Sequence, residues 1–209
     1  MFIIPLCLSN VDFTQGSVSW AIQIHSCPQG VPFRCLRQSS ETRFTKERVF
    51  LNTDGVVQLD TGFAAAGGIV RDKDGNWIAG FHRFIGKCSV FDAELWGIFD
   101  GLRLVQKRGH NQVIILSDSL EVVKAITESS STSSNSALIR RIHTMLSQET
   151  RWILRFILRE QNQVTDCLAK QALIEKANMQ VFEAPPEWSC GFIDRDRLMS
   201  DTLTQLLSL

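Results

Sequence analysis

Four acidic residues of this 209-residue chain stand where functional side chains are commonly found. Asp54 directly follows an apolar, β-rich run, Asp118 follows a second such run, and Glu94 and Asp166 each fall in the first turn of a predicted helix. Taken singly, an acid at such a position is more often a structural turn residue or helix cap than a catalytic group. Gathered at one place, carboxylates repel one another unless protons or cations neutralise them, and Mg²⁺ or Mn²⁺ prefers such oxygen ligands. The four acids together therefore predict a divalent-metal site.

The elements that must position these acids alternate between strands and helices. Periodicity predicts strands at 49–53, 64–70 and 77–81, a helix at 92–108, a strand at 113–116, helices at 120–127 and 137–146, a strand at 152–158, and a helix from Asn162 to about residue 177. Asn162 can cap that last helix. Hairpins followed by crossovers make the first, fourth and fifth strands parallel neighbours. Ligands collect beyond the carboxyl ends of such strands, where Asp54 and Asp118 are both expected.

The helix at 92–108 carries a face that predicts close contact with the sheet. Gly97 and Gly101 lie on it, together with Glu94. Glycine in a helix interior costs helix propensity but lets backbones approach closely. We therefore expect Glu94 on the packed side of this helix, and a loop at 85–91 before it.

Charge and cysteine content narrow the class of protein. Basic and acidic residues number 22 each, so net charge favours neither a nucleic-acid nor a membrane partner. Residues 48–180 carry 16 basic and 14 acidic groups, and a difference of +2 attracts a polyanion only weakly. The six cysteines form no C-x-x-C pair, which favours a reducing intracellular compartment, nucleus or cytoplasm. No apolar run approaches the roughly 20 residues of a membrane helix. We also expect the protein to be a monomer.

Composition divides the chain into three predicted parts. Residues 1–47 lack sustained periodicity and are interpreted as a poorly ordered leader. Residues 48–180 hold the predicted domain, which includes a flexible serine-rich connector at 128–136. Residues 181–209 are interpreted as a tail with a short helix from Trp188 onward.

Five segments, in order and at suitable spacings, carry a resemblance to a known family. They are NTDG at 52–55, GGIVRD at 67–72, DAELWG at 92–97, SDS at 117–119, and REQN at 159–162 followed by TDCLA at 165–169. This set resembles type 1 ribonuclease H, and more narrowly the plant ribonuclease-H-like domain derived from non-LTR retroelement reverse transcriptases. The resemblance covers about residues 48–180.

The resemblance implies a fold, a cofactor and a reaction. The fold is α/β and ribonuclease H-like, with a five-stranded mixed sheet in the order 3-2-1-4-5 flanked by helices. Asp54, Glu94, Asp118 and Asp166 correspond to catalytic, metal-binding carboxylates for two Mg²⁺ ions, which Mn²⁺ can replace. Asp54 would bridge both ions, Glu94 and Asp118 would hold one, and Asp166 the other. The implied reaction hydrolyses the RNA strand of an RNA–DNA hybrid, leaving a 3′-hydroxyl and a 5′-phosphate.

Residues beside the four acids are expected to contact the substrate. They are Asn52, Gly55, Ser119, Arg159 and Asn162, with Gly55 leaving the sheet edge open for the substrate. Arg159 also continues a basic series with Arg151 and Arg155, which either tracks a phosphate backbone or is an ordinary exposed strand face.

One departure from the family keeps a second interpretation open. Many type 1 enzymes have a histidine in the loop before the last carboxylate helix, but here that connection is only Arg159–Gln161. Plant relatives often carry histidine in the last strand, where this chain has Phe156. The alternatives are a non-catalytic nucleic-acid-binding remnant of a retroelement, or a plain interaction scaffold.

Overall fold

The structure, a computed structural model, describes residues 48–128, 136–149, 151–193 and 196. The strands are β1 (Val49–Val57), β2 (Phe63–Arg71), β3 (Trp77–Lys87), β4 (Val113–Ser117), β5 (Trp152–Phe156) and β6 (Gln180–Phe182). The helices are α1 (Val90–Lys107), α2 (Leu120–Glu128), α3 (Ala137–Gln148) and α4 (Gln163–Glu175), with short 3-10 turns at Arg159–Gln161 and Glu187–Ser189. Residues 190–193 are helical. The predicted leader, nearly all of the serine-rich connector and about half of the tail lie outside the described residues.

The six strands form one mixed sheet in the order β5-β4-β1-β2-β3-β6. β1 pairs antiparallel with β2 and parallel with β4, and β4 pairs parallel with β5, so the predicted order 3-2-1-4-5 is confirmed. The predicted number of five strands is wrong, because β6 adds to the free edge of β3 from Gly80↔Phe182 to His82↔Gln180. Three residues are too few to show a strand period, and tertiary pairing decides their state.

Two strands, β1 and β3, continue well past their predicted ends, whereas β2 and β4 differ from their predicted bounds by single residues. β1 continues through Asp54 to Val57, because β2 still pairs with it there (Val57↔Ala64) after β4 has ended. The acid therefore lies inside β1, although it was expected at the strand's end. β3 continues to Lys87, so residues 85–87 of the predicted 85–91 loop are strand and only residues 88–89 form a loop. Helix α1 then begins at Val90.

The two faces of the sheet carry separate cores. The larger core packs α1, α2 and α3 on one face around Leu51, Leu95 and Ile115. A smaller one joins Val164 and Leu168 of α4 to the opposite face. The close approach predicted for α1 is confirmed, since a Cβ on Gly97 would meet the Asp54 carbonyl oxygen at 2.9 Å. Within the described ranges, no helix combines the length and apolar character needed to cross a membrane.

Candidate active site

The register of two parallel strands brings Asp54 and Asp118 side by side. β1 and β4 run in step from Val49↔Val113 to their last pair, Thr53↔Ser117. Asp54 and Asp118 are each the next residue along their chains. β4 ends there, which opens the sheet beside Asp54 and leaves room for the side chains of both acids.

Glu94 reaches the same place because Gly55 has no side chain. A Cβ on Gly55 would lie 2.2 Å from the Glu94 backbone nitrogen and 2.3 Å from the carbonyl carbon of Ala93. The first turn of α1 therefore rests directly on the β1 backbone, and Gly55 is buried beneath it. Gly55 was expected to leave the sheet edge open for a substrate. The structure fills that space with α1.

Asp54, Glu94 and Asp118 form a compact cluster of carboxylates. Each offers an oxygen, and these three atoms all lie within 4.8 Å of one another. Asp54 and Glu94 are buried and Asp118 is half-buried. The Oε2 atom of Glu94 and the neighbouring Thr53 Oγ1 are buried without a hydrogen-bond partner. Buried polar atoms are nearly always paired, so the unpaired Glu94 oxygen is suited to accept a further ligand within the cluster.

Burial and mutual repulsion hold protons on this cluster. Burial, followed by the charges of Asp118 and Asp166, raises the pKa of Asp54 to about 8. Burial and the charge of Asp54 raise the pKa of Glu94 to about 10. Burial also raises the pKa of Asp118, although a hydrogen bond from Asn162 opposes this. Neighbouring carboxylates repel one another when they are all ionised, and a bound divalent cation would neutralise that repulsion.

Asp166 is near the three-acid cluster without being part of it. Its charge contributes to the raised pKa values of Asp54 and Asp118, which places it close to both. Its oxygens accept from Lys170 Nζ at 2.7 Å and, at 3.5 Å, from Arg159 Nη2. Arg159 is otherwise exposed, with 75% of its side chain accessible. The structure thus brings three of the four predicted acids together and holds the fourth nearby on α4.

The amide of Asn162 ties the cluster to the strand that carries it. Its Nδ2 donates to Asp118 Oδ1 at 2.8 Å and to the Thr53 carbonyl oxygen at 2.9 Å. Its Oδ1 accepts from Asn52 Nδ2 at 3.3 Å. Only 1% of Asn162 and 5% of Asn52 is exposed, so both amides are used inside the protein. The sequence predicts both residues as substrate contacts. Only the structure shows that the Asn162 side chain bridges Asp118 and β1.

The remaining predicted contacts have other surroundings. The Ser119 hydroxyl accepts from the Val122 amide at 3.4 Å in the first turn of α2. Arg151, Arg155 and Arg159 are all exposed, but only Arg155 lies in a strand. β5 ends at Phe156 and not at the predicted residue 158, so Arg151 precedes it and Arg159 lies in the 3-10 turn that follows. Phe156 pairs with Ser117 at the end of β5, one residue from Asp118, and 41% of it is exposed.

The cluster fits a divalent metal on its own chemistry. It presents carboxylate oxygens, which hard cations prefer. Neutralising the acids would remove their repulsion, and the unpartnered Glu94 oxygen would gain a partner. The side chains of Asp54, Glu94 and Asp118 thus suit a divalent cation, whatever its identity.

Comparison with known proteins places this fold and cluster in a family. The model of the reverse transcriptase-like family matches residues 52–172, a span that includes all four acids. The chain belongs to the reverse transcriptase-like family. Its resemblance to ribonuclease H, first seen in the five motifs, is thereby confirmed as a ribonuclease H-like domain.

This reverse transcriptase-like chain is similar to proteins named ribonuclease H. An Arabidopsis thaliana protein named "Putative ribonuclease H protein" is 29% identical over 204 residues, which are 93% of this chain and 32% of that protein. The chain thus spans about a third of the relative's length. Ribonuclease H1 of the archaeon Halobacterium salinarum is 26% identical with a TM-score of 0.56, covering 61% of this chain and 98% of that one.

Two further solved structures agree. The N-terminal ribonuclease H domain of a Mycobacterium tuberculosis protein is 25% identical with a TM-score of 0.56, over 62% of this chain and 95% of that one. LC11 ribonuclease H1, solved in complex with an RNA/DNA hybrid, is 20% identical with a TM-score of 0.55, over 61% of this chain and 98% of that one. At that identity the last likeness shows the fold alone.

Proposed function

We propose that this chain is a metal-dependent endonuclease that hydrolyses the RNA strand of RNA–DNA hybrids. The observation that carries the proposal is the cluster of Asp54, Glu94 and Asp118, with one oxygen from each within 4.8 Å of the others. The proposal is supported by the family match and by relatives that include ribonucleases H. Without this cluster, similarity to solved structures would support the ribonuclease H-like fold but not the proposed hydrolysis of RNA.

The four acids divide the proposed work by position. Asp54, Glu94 and Asp118 would hold one ion, and Asp54 together with Asp166 a second. When bound, two Mg²⁺ ions supply a water acidic enough to attack a phosphodiester and a charge to stabilise the leaving oxygen. The chain itself provides fixed carboxylates, since Asn162 holds Asp118 and the Gly55 amide holds Asp54 Oδ1 at 2.8 Å. The products would be a 3′-hydroxyl and a 5′-phosphate.

Arginines near the acids suit the proposed substrate. Arg159 is exposed within reach of Asp166, and Arg155 is exposed on the adjoining strand β5. Guanidinium groups bind phosphates by charge and by paired hydrogen bonds. We propose that these two side chains contact the hybrid backbone beside the site. Binding should therefore weaken as salt is raised.

The test is cleavage of a labelled hybrid by the purified full chain. Cleavage of the RNA strand is expected with Mg²⁺ or Mn²⁺, and none with EDTA. Asp54→Asn should abolish it, because that change removes a ligand oxygen's charge while keeping the side chain's size. Glu121→Gln is the matched control, since Glu121 is an exposed acid three residues after Asp118. Equal rates for wild type and Asp54→Asn would exclude the carboxylate site as the source of activity.

One observation favours a second candidate, a nucleic-acid-binding protein without turnover. Phe156 occupies the end of β5 beside Ser117, where the family resemblance leads one to expect histidine. No histidine of the described ranges belongs to the acidic cluster. Proton transfer by a positioned side chain commonly contributes about 10²–10⁴-fold in rate. Salt-dependent hybrid binding without metal-dependent products would identify this alternative.

A further inference from the structure

Helix α4 begins without the cap that its sequence provides. Asn162 occupies the N-cap position, but its side chain makes no capping hydrogen bond. Its backbone is also unusual for a cap, with φ −127° and ψ 25°. The side chain turns instead to Asp118 and Thr53. A residue of a preferred capping type is thus used for another purpose, and the first amides of α4 need a different acceptor.

Asp196 supplies that acceptor from far along the chain. Its Oδ2 accepts from the Val164 amide at 3.2 Å, which is the second helical amide and the usual partner of an N-cap side chain. The Gln163 amide also bonds to it. Arg71 of β2 donates to the same oxygen at 3.0 Å, with 6% of the Arg71 side chain and 1% of the Asp196 side chain accessible. A carboxylate at a helix N-terminus is further favoured by the helix dipole.

We propose that Asp196 is a positioning residue for the carboxylate site. By capping α4 in place of Asn162, it leaves the Asn162 amide available to hold Asp118 against the end of β1. The inference rests on the proposed function for its meaning, since what it positions is the metal-binding cluster. Asp196 lies beyond the family match, which ends at residue 172. A segment outside the matched span would therefore complete the site.

The physical argument is a competition between two uses of one side chain. Without Asp196, the first amides of α4 and the Asp118 carboxylate would both compete for Asn162. An N-cap is worth about 1 kcal/mol, which corresponds to roughly a fivefold change in an equilibrium constant. We therefore expect loss of Asp196 to weaken divalent-metal binding about fivefold, because Asn162 then spends part of its time as the cap.

The test compares three variants of the full chain. Asp196→Ala removes the acceptor, Asp196→Asn keeps an acceptor oxygen without the charge, and Glu187→Ala is the control, an exposed acid of the same C-terminal segment. The measurements are the calorimetric dissociation constant for Mn²⁺, hydrogen exchange at the Val164 amide, and the NMR shift of the Asn162 side-chain amide. Asp196→Ala should weaken Mn²⁺ binding and speed exchange, each about fivefold, and move the Asn162 resonance. Asp196→Asn should stay within about twofold of wild type, and Glu187→Ala should match it.

Two further variants, Asn162→Ala alone and combined with Asp196→Ala, separate positioning from general loss of stability. In an Asn162→Ala background, Asp196→Ala should have little further effect on Mn²⁺ affinity, because the residue through which it acts is already gone. Additive losses would overturn the proposal. So would an Asp196→Asn variant that binds Mn²⁺ about fivefold more weakly than wild type. That result can be obtained even if the alanine variant fails to fold. A wild type that cuts no hybrid would defeat the proposed function alone, since Val164 exchange and the Asn162 resonance need neither turnover nor metal.

Discussion

Substituting alanine for Gly55 should damage both stability and the carboxylate cluster. The added Cβ would stand 2.2 Å from the Glu94 nitrogen and 2.7 Å from the Ala93 carbonyl oxygen. Ordinary contact begins near 3.4 Å, so the helix backbone must withdraw by about 1.2 Å, the difference between 3.4 and 2.2 Å. The atoms in the way are main-chain atoms of α1, which no side-chain rotation can move aside.

The cost follows from that displacement. Overpacking a filled interior typically costs about 1–3 kcal/mol, and a clash with backbone belongs at the upper end. We expect the Gly55→Ala change to lower the free energy of unfolding by about 3 kcal/mol. A functional constellation tolerates displacements of about 0.5 Å. Moving Glu94 by more than twice that distance should therefore remove most of the Mn²⁺-induced rise in Tm and reduce hybrid cleavage roughly 100-fold.

Urea unfolding and thermal melts with and without Mn²⁺ measure the two effects. Gly191→Ala is the matched control, because nothing lies within 4 Å of its added Cβ and Gly191 is exposed in a helical segment. That control should be neutral or up to about 1 kcal/mol more stable. The reasoning would be refuted if Gly55→Ala unfolded within about 0.5 kcal/mol of wild type and kept its full response to Mn²⁺.

Three further predictions concern charge. The metal-free protein should lose stability as pH rises from about 4 towards 8. The pKa values of Asp54 (about 8) and Glu94 (about 10) are raised, so the folded state binds more protons than the unfolded state over this range. A free energy of unfolding in EDTA, measured with urea, that does not change with pH over this range would contradict the prediction. Asp118→Asn should lose the Mn²⁺-induced stabilisation, which reaches about 2.7 kcal/mol at a hundredfold excess over Kd, so a calorimetric titration with normal affinity would exclude Asp118 as a ligand. Arg83→Met should lower the free energy of unfolding by about 2 kcal/mol, because it leaves Asp100, which is 2% exposed, without its two hydrogen bonds from Arg83. The value is set below that of a fully buried ion pair because Arg83 is partly exposed to solvent. Chemical denaturation at neutral pH measures the change.

The hairpins of the sheet and the inner face of α1 could be predicted from local pattern, whereas the full order 3-2-1-4-5 was implied by the family resemblance. Short strands with turn residues between them indicate hairpins, and the long crossovers require parallel pairing. The inner face of α1, with Gly97 and Gly101, follows from a helical period and was confirmed. These features depend on residues close together in sequence, where propensity and periodicity carry information.

Pairing between distant segments could not be predicted in the same way. The pattern predicts C-terminal ends for β1 and β3 that fall short of the observed ones, because the length of a strand depends on the strand that pairs with it. β1 has partners of different lengths on its two sides, so it continues past the end of β4. β6 has only three residues and exists as a strand because β3 offers a free edge. The domain boundary at residue 180 stays a prediction, although β6 and Asp196 both contact the sheet beyond it.

The site itself is where local rules failed most clearly, and the failures are connected. Asn162 is a preferred N-cap residue, but its side chain does not cap α4 because its amide donates to the Thr53 carbonyl oxygen of β1 and to Asp118. Gly55 was interpreted as an opening for a ligand, but its missing side chain admits α1 and with it Glu94. In both cases a residue with an obvious local use serves a distant partner, and for Asn162 a second residue supplies the helix cap that is lost locally. Because Asp196 restores the cap, the helix retains its first turn and the cluster retains its bridge. A sequence that departs from its own local preferences at one place indicates, by that departure, where its functional groups are held.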